Sequence, residues 1–134
     1  MATATQLNLR LENEVGRLAK LCRDLAHGGV NLLALLAPES QGATGVVRLL
    51  VANPELARNA LARAGYSFEA EDVLFVELRN RPGALAKAAE KLHKAGINVT
   101  YAYATAYRRA QKTAAVIAVL PGDLDRASRL FAGH

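Results

Sequence analysis

Asn80-Arg81-Pro82-Gly83-Ala84-Leu85 stands between a polar/apolar alternation and a helical periodicity, and 67 residues upstream the chain carries a copy, Asn13-Glu14-Val15-Gly16-Arg17-Leu18. The register holds beyond the motif: Leu25 aligns with Leu92, Gly29 with Gly96, Val30 with Ile97 and Asn31 with Asn98. Self-similarity at this period means one supersecondary unit used twice. Whatever site the loop builds, the chain builds two of them.

Outward from the first copy, Gln6 to Glu12 alternates with period two, the pattern of a strand with one wet face. Past Gly16, Val15, Leu18, Leu21, Cys22 and Leu25 recur at three- and four-residue steps, which predicts an amphipathic helix. His27-Gly28-Gly29 ends that helix, because glycine accepts the left-handed conformation found there. Strands are expected over 30–36 and 45–52, with a loop at 38–42 between them. Asn53-Pro54 starts a second helix that turns Leu56, Ala60 and Leu61 inward and ends at Gly65, and residues 66–70 suit a short fourth strand.

The second copy replays this order. A strand over 73–79 leads to a helix carrying Ala84, Leu85, Ala88, Ala89 and Leu92 on one face, ended by Ala95-Gly96. Strands over 97–106 and 113–120 flank a hairpin loop at 107–111, and Pro121-Gly122-Asp123 opens a helix over 124–131. The order β-α-β-β-α-(β), twice, gives an α+β chain of two ferredoxin-like units, 1–70 and 71–134, each an antiparallel sheet with helices on one face. Units of this size sit near the lower limit for an independent core and are expected to lean on each other.

Two differences separate the copies. After the hairpin the offset becomes 68, with Leu56 matching Leu124, Gly65 matching Gly133 and Tyr66 matching His134, so the second unit is expected to lack its last strand. An unpaired edge either invites a partner or stays solvated. On the open face, Gln6, Asn8 and Arg10 of the first copy become Val73, Phe75 and Glu77. Apolar surface there meets a second copy, making a homodimer, or is buried by the chain itself.

The whole chain has 134 residues, a hydrophobic fraction of 51% and a formal net charge of +5. No apolar run approaches the roughly 20 residues that span a bilayer, and Met1 to Thr5 lacks a signal-peptide pattern. With Cys22 as the single cysteine there is no intramolecular disulfide, and a cytoplasmic protein is expected. The arginines are scattered. Only Arg108-Arg109-Ala110-Gln111-Lys112 forms a basic cluster, in the hairpin loop, either solvated or in contact with a phosphate or an acidic partner.

The chemistry of the repeated loop follows from its position. The first turn of a helix leaves backbone N–H groups without partners, and the dipole favours an anion there. Gly16 and Gly83 remove a side chain from that point, while Asn13 and Asn80 each supply a carbonyl acceptor and an amide donor. A small zwitterion needs both kinds of group. The competing account is a plain helix cap with asparagine satisfying the turn.

On these residues the chain resembles a known family. Leu-Glu-Asn-Glu-Val-Gly-Arg-Leu, and Leu-Arg-Asn-Arg-Pro-Gly-Ala-Leu followed by Ala86 to Val99, are similar to the first strand–helix junction of ACT domains. The resemblance spans nearly the whole chain, twice, and points to stand-alone proteins of two tandem ACT domains without a catalytic domain. It implies a regulatory module that binds an amino acid between one domain's junction loop and its neighbour's second strand. Carried onto this sequence, the loop positions are Asn13, Val15, Gly16, Arg17 and Leu18, then Asn80, Pro82, Gly83, Ala84 and Leu85. The second-strand positions are Asn31 and Leu32, with Asn98 and Val99, the asparagines being either ligand contacts or water-facing. Arg81 and Ala84 replace Glu14 and Arg17, and Pro82 removes a donor that Val15 keeps, so the two loops are expected to differ in ligand or affinity.

No catalytic constellation stands beside these loops. His27, His93 and His134 are isolated, without the spacing of a metal site; His27 and His93 are expected to face solvent, and Cys22 falls on an apolar helix stripe as a buried thiol. No phosphate loop or dinucleotide fingerprint occurs, and no cofactor is implied. Tyr101, Tyr103 and Phe75 fit core or interface packing better than base stacking on RNA. Three functions follow: a non-enzymatic amino-acid sensor, an accessory subunit regulating a separately encoded enzyme, and, more remotely, an RNA-binding module.

Overall fold

In the computed structural model, which describes residues 2–39 and 42–132, period-two alternation at the N-terminus becomes strand β1 (Thr3–Glu12). It is followed by α1 (Arg17–His27), β2 (Leu32–Leu36), β3 (Thr44–Val51) and α2 (Pro54–Arg63). The second repeat supplies β4 (Phe68–Arg79), α3 (Ala84–Lys94), β5 (Val99–Thr105), β6 (Lys112–Val119) and, after a 3-10 turn at Pro121–Asp123, α4 (Leu124–Leu130). The chain divides into two compact units, Thr5–Glu71, and Met1–Ala4 with Asp72–His134.

In the Thr5–Glu71 unit the strand order is β2-β3-β1-β4, the ferredoxin-like order. β1 and β3 pair antiparallel, with Gln6 opposite Leu50 and Asn8 opposite Arg48. That register turns Leu7 and Leu9 to one face, where they meet Leu21 and Leu25 of α1, Val47, Leu49 and Val51 of β3, and Ala57 and Leu61 of α2. The helices sit close. Gly28, just past α1, has a backbone on which an added Cβ would stand 2.6 Å from the Ala60 Cβ of α2. Asn53 caps α2 as its type predicts, its side-chain oxygen accepting from the Leu56 N–H at 3.2 Å. On the opposite sheet face Gln6, fully buried, donates to Asn8 Oδ1 at 2.8 Å, and the Asn8 amide donates to Glu71 at 2.7 Å.

The other unit has the order β1-β4-β6-β5, its share of β1 being the N-terminal residues. Leu74, Val76 and Leu78 alternate onto a core with Ala88 and Leu92 of α3, Ala115, Ile117 and Val119 of β6, and Ala127 and Phe131. As expected, no strand follows α4 among the described residues. The edge is nevertheless filled. The Phe75 N–H donates to the Ala2 carbonyl at 2.8 Å, and Ala2 is buried in this unit's core. The expected assembly point at a vacant edge is therefore corrected: the chain's own first residues take the fourth-strand position.

Further expectations change. The two strands expected over 66–70 and 73–79 are one, because no glycine or proline interrupts Phe68 to Arg79. The apolar open face is only in part surface. Val73 is fully enclosed within the chain, Phe75 is half-buried and its cross-strand partner Val116 is buried, which leaves Glu77 exposed. Val15 and Leu18 stand in solvent rather than on the helix's buried stripe, which Leu21 and Leu25 supply, and Cys22 is only half-buried. The offset of 68 holds for β6 but not for α4. There Ala57, Ala60 and Leu61 are matched in burial by half-buried Leu124 and buried Ala127 and Ser128, and Pro54 by Pro121, all 67 apart. The alignments drawn to Gly133 and His134 lie outside the described residues.

Candidate ligand site at the strand-to-helix junctions

Each junction is built by the same backbone route. At the end of β1 the Asn13 N–H donates to Ala43 O at 2.8 Å, and at the end of β4 the Asn80 N–H donates to Gln111 O at 2.9 Å. A turn then closes with Arg17 N–H on Glu14 O and Ala84 N–H on Arg81 O, both 3.3 Å. Between them Gly16 (φ 88, ψ −8) and Gly83 (φ 88, ψ −10) take the left-handed conformation, which is costly for any residue with a Cβ. A Cβ on either glycine would meet nothing within 4 Å, so glycine is required here by backbone angle and not by crowding.

Asparagine does not cap either helix. Neither α1 nor α3 has a side-chain cap hydrogen bond, and the capping position is the glycine itself. The two asparagines do different things. Asn80 donates through Nδ2 to Tyr107 O at 3.1 Å and Ala110 O at 2.8 Å, fastening the β5–β6 loop, whereas among the described residues Asn13 makes no side-chain hydrogen bond.

A hollow opens beside each loop. The first encloses about 160 Å³ and is lined by Leu11, Glu12, Asn13, Glu14, Arg17, Leu18, Ala37, Pro38 and the Gly45–Val47 stretch. The second encloses about 510 Å³ and is lined by Glu77, Leu78, Arg79, Arg81, Pro82, Gly83, Ala84, Lys87 and Lys112. Small-molecule sites run to roughly 300–1,000 Å³, which sets the second apart from the first. Of the sequence-expected residues the structure gathers Asn13, Arg17 and Leu18 around one hollow and Pro82, Gly83 and Ala84 around the other. Val15, Gly16, Asn80 and Leu85 line neither, though Val15 and Leu85 are exposed at the loops.

Asn31, Leu32, Asn98 and Val99 also lie outside both hollows. Both asparagines are exposed immediately before their strands. Each of those strands is irregular at the same repeat position, between Leu32 and Ala34 in β2 and between Val99 and Tyr101 in β5. Bulges of this kind re-aim side chains at strand ends.

Charge distinguishes the loops most. Arg17 bridges Glu12 at 3.2 Å and Glu14 at 3.1 Å. Hydrogen bonding with Glu12 and then with Arg17 holds the Glu14 carboxyl below its ordinary range, and Glu14 and Glu12 in turn raise Arg17. The second loop replaces Glu12 and Glu14 by Arg79 and Arg81 and has a single ion pair at its hollow among the described residues, Lys112 to Glu77 at 3.5 Å. Glu77, Arg79, Arg81, Lys87 and Lys112 were not among the site residues expected from the sequence. The reversal of charge at Glu12/Arg79 and Glu14/Arg81 is a signal that marks the two arginines, whereas Lys87 aligns with Lys20 and Lys112 with Thr44, which mark nothing.

Among the described residues no group of three His, Cys, Asp or Glu side chains could hold a metal ion, and no helix is long and apolar enough to cross a membrane. The model of the family described as the ACT domain pair matches residues 2–118. Among solved structures, the protein BT0572 from Bacteroides thetaiotaomicron is 31% identical, with 96% of this chain and 86% of that chain covered and a TM-score of 0.84. The regulatory subunits of aspartate kinase from Thermus thermophilus, in ligand-free form, and from Thermus flavus are each 17% identical. Each covers 98% of this chain and 95% of that one, at TM-scores of 0.67 and 0.63, a likeness of fold. No curated protein matches.

Proposed function

The chain belongs to the ACT domain pair family, and on that premise we propose that it is a non-enzymatic regulatory protein of the cytoplasm that binds an amino acid at its junction loops. The observation that carries this is the pair of hollows, each beside a left-handed glycine at the start of a helix whose first turn has no side-chain cap. Uncapped N–H groups and the helix dipole suit a carboxylate, and the neighbouring acidic and amide side chains suit an ammonium group. Asn31, Leu32, Asn98 and Val99 complete such a site if a neighbouring domain presents them, which favours a homodimer as the binding form.

The test is a thermal-shift screen of the full chain against the common amino acids, since a ligand that prefers the folded state raises its apparent stability. At a hundredfold excess over Kd the stabilisation is about 2.7 kcal/mol, well within detection. A flat profile for every amino acid would sink this function. A second function, regulation of a separately encoded enzyme by contact, is favoured by apolar side chains left in solvent at and near both loops: Val15, Leu18 and Leu33, and Leu85 and Val99. Its check is co-purification of a defined enzyme that is lost when Leu18 and Leu85 are both changed to Ser.

A further inference from the structure

The ionic groups that line the first hollow, among the described residues, are paired with one another. Arg17 spans Glu12 and Glu14, and Lys20 is held by Asp24 at 2.8 Å. The second loop does the opposite with the same backbone. Arg79, Arg81, Lys87 and Lys112 line its hollow against one carboxylate, Glu77, and among the described residues Arg79, Arg81 and Lys87 pair with no carboxylate. Like charges gathered around a concavity repel one another and raise the local concentration of counter-ions. A hollow of about 510 Å³ with three uncompensated cations is a place that a small polyanion would neutralise.

Which anion fits is decided by the donors. A concentrated charge such as phosphate is usually cradled by successive backbone N–H groups. Pro82 removes one of them from this loop, where Val15 keeps it in the other. What remains is guanidinium chemistry, whose planar fork matches a carboxylate two-to-two. Two arginines set on either side of Asn80 suit two separate carboxylates rather than one charge centre, and Glu77 offers an acceptor to an ammonium group. We propose that the second junction hollow is a dicarboxylate site, with Arg79, Arg81 and Lys87 as its cationic wall and an acidic amino acid as the form that also uses Glu77. This rests on the junction loops being ligand sites, and it assigns the ligand class to one of the two.

Calorimetric titration of the full chain with L-aspartate, L-glutamate, succinate, L-alanine, L-lysine and inorganic phosphate tests it. The acidic amino acids and succinate bind, and the affinity falls as salt is raised. Arg81→Ala weakens binding about tenfold, the size of a lost charge-assisted hydrogen bond, while Lys94→Ala at the far end of α3 leaves it unchanged. Circular dichroism of each variant separates loss of fold from loss of site, and Lys87→Ala repeats the test on a helical position. If alanine or lysine binds and the dicarboxylates do not, the ligand class is overturned while amino-acid binding stands. If succinate alone binds, with dependence on Arg81, the hollow is supported and amino-acid sensing is not. Phosphate binding more tightly than succinate, or dicarboxylate binding untouched by both variants, overturns the assignment.

Discussion

Gly28→Ala tests the packing of α1 on α2 through a single atom. Where the backbone is not left-handed, glycine has no advantage over alanine, and the backbone of Gly28 (φ −84, ψ 3) is open to any residue. On unfolded-chain entropy alone the change should stabilise by about 0.4–1 kcal/mol. The structure reverses that sign. The new Cβ would stand 2.6 Å from the Ala60 Cβ, where carbon atoms rest at about 3.5–4.0 Å. Relief requires the helices to part by roughly an ångström over Leu21, Leu25, Ala57 and Leu61, all essentially sealed from water. Overpacking of this kind costs about 1–3 kcal/mol, so a net loss of about 1–2 kcal/mol is expected in urea denaturation. The same atom can be removed from the other side. Ala60→Gly alone loses about 1 kcal/mol as a glycine in a helix. In combination it makes room for the new methyl group, so the double variant is no less stable than Ala60→Gly by itself. A Gly28→Ala protein as stable as the parent, or strictly additive losses in the double variant, would refute this account of the helix contact.

Three further outcomes are expected. Removing residues 1–4 strips the backbone acceptor from Phe75 and a buried residue from the core, so the Phe75 amide exchanges with deuterium much faster while Leu7 and Leu49 amides change little. Asn80→Ala frees the Tyr107–Ala110 loop and destabilises by about 1–2 kcal/mol in thermal melts, whereas Asn13→Ala leaves stability near the parent's because that side chain holds nothing among the described residues. Stability also depends on Asp24, whose carboxyl is held below its ordinary value by hydrogen bonds from Lys20 and then Tyr66. A depressed carboxylate contributes fully above its unfolded pKa of about 3.9 and is lost as pH falls through the lower folded value. Asp24→Asn therefore flattens the acid limb of the stability profile below about pH 4, and an unchanged limb would remove Asp24 from that role.

The fold was legible because its signals are local and doubled. Alternation at Gln6 to Glu12, helix stops at Gly29 and Gly96 and the proline-led starts at Pro54 and Pro121 each act over a few residues. Two copies in one register leave little freedom in element order. What stayed hidden depends on groups distant in sequence. Nothing in Ala2-Thr3-Ala4 says that it pairs with the strand holding Phe75, because that pairing is set by a vacancy created in the other repeat. Val73 reads as surface in an alternation pattern, yet it is enclosed once the chain is folded. The junction loops were legible as positions, through glycine and asparagine at matched places. Their side-chain lining was not, because Lys87 and Lys112 reach the second hollow from a helix and from a strand with no shared motif. The duty of Asn80 lay beyond the sequence for the same reason: it depends on carbonyls of Tyr107 and Ala110, far along the chain.

The hydrogen bond from Phe75 to Ala2 has a consequence for how the molecule comes into being. During synthesis the first residues leave the ribosome early, yet their strand neighbour is translated only after the whole first repeat. The C-terminal unit thus closes by capturing a segment made long before it, a contact of large sequence separation and correspondingly slow formation. Division of the chain between Glu71 and Asp72 would not yield two self-sufficient modules: the C-terminal fragment would want its edge strand. The two repeats were copied in tandem, but the second is completed by residues that precede the first.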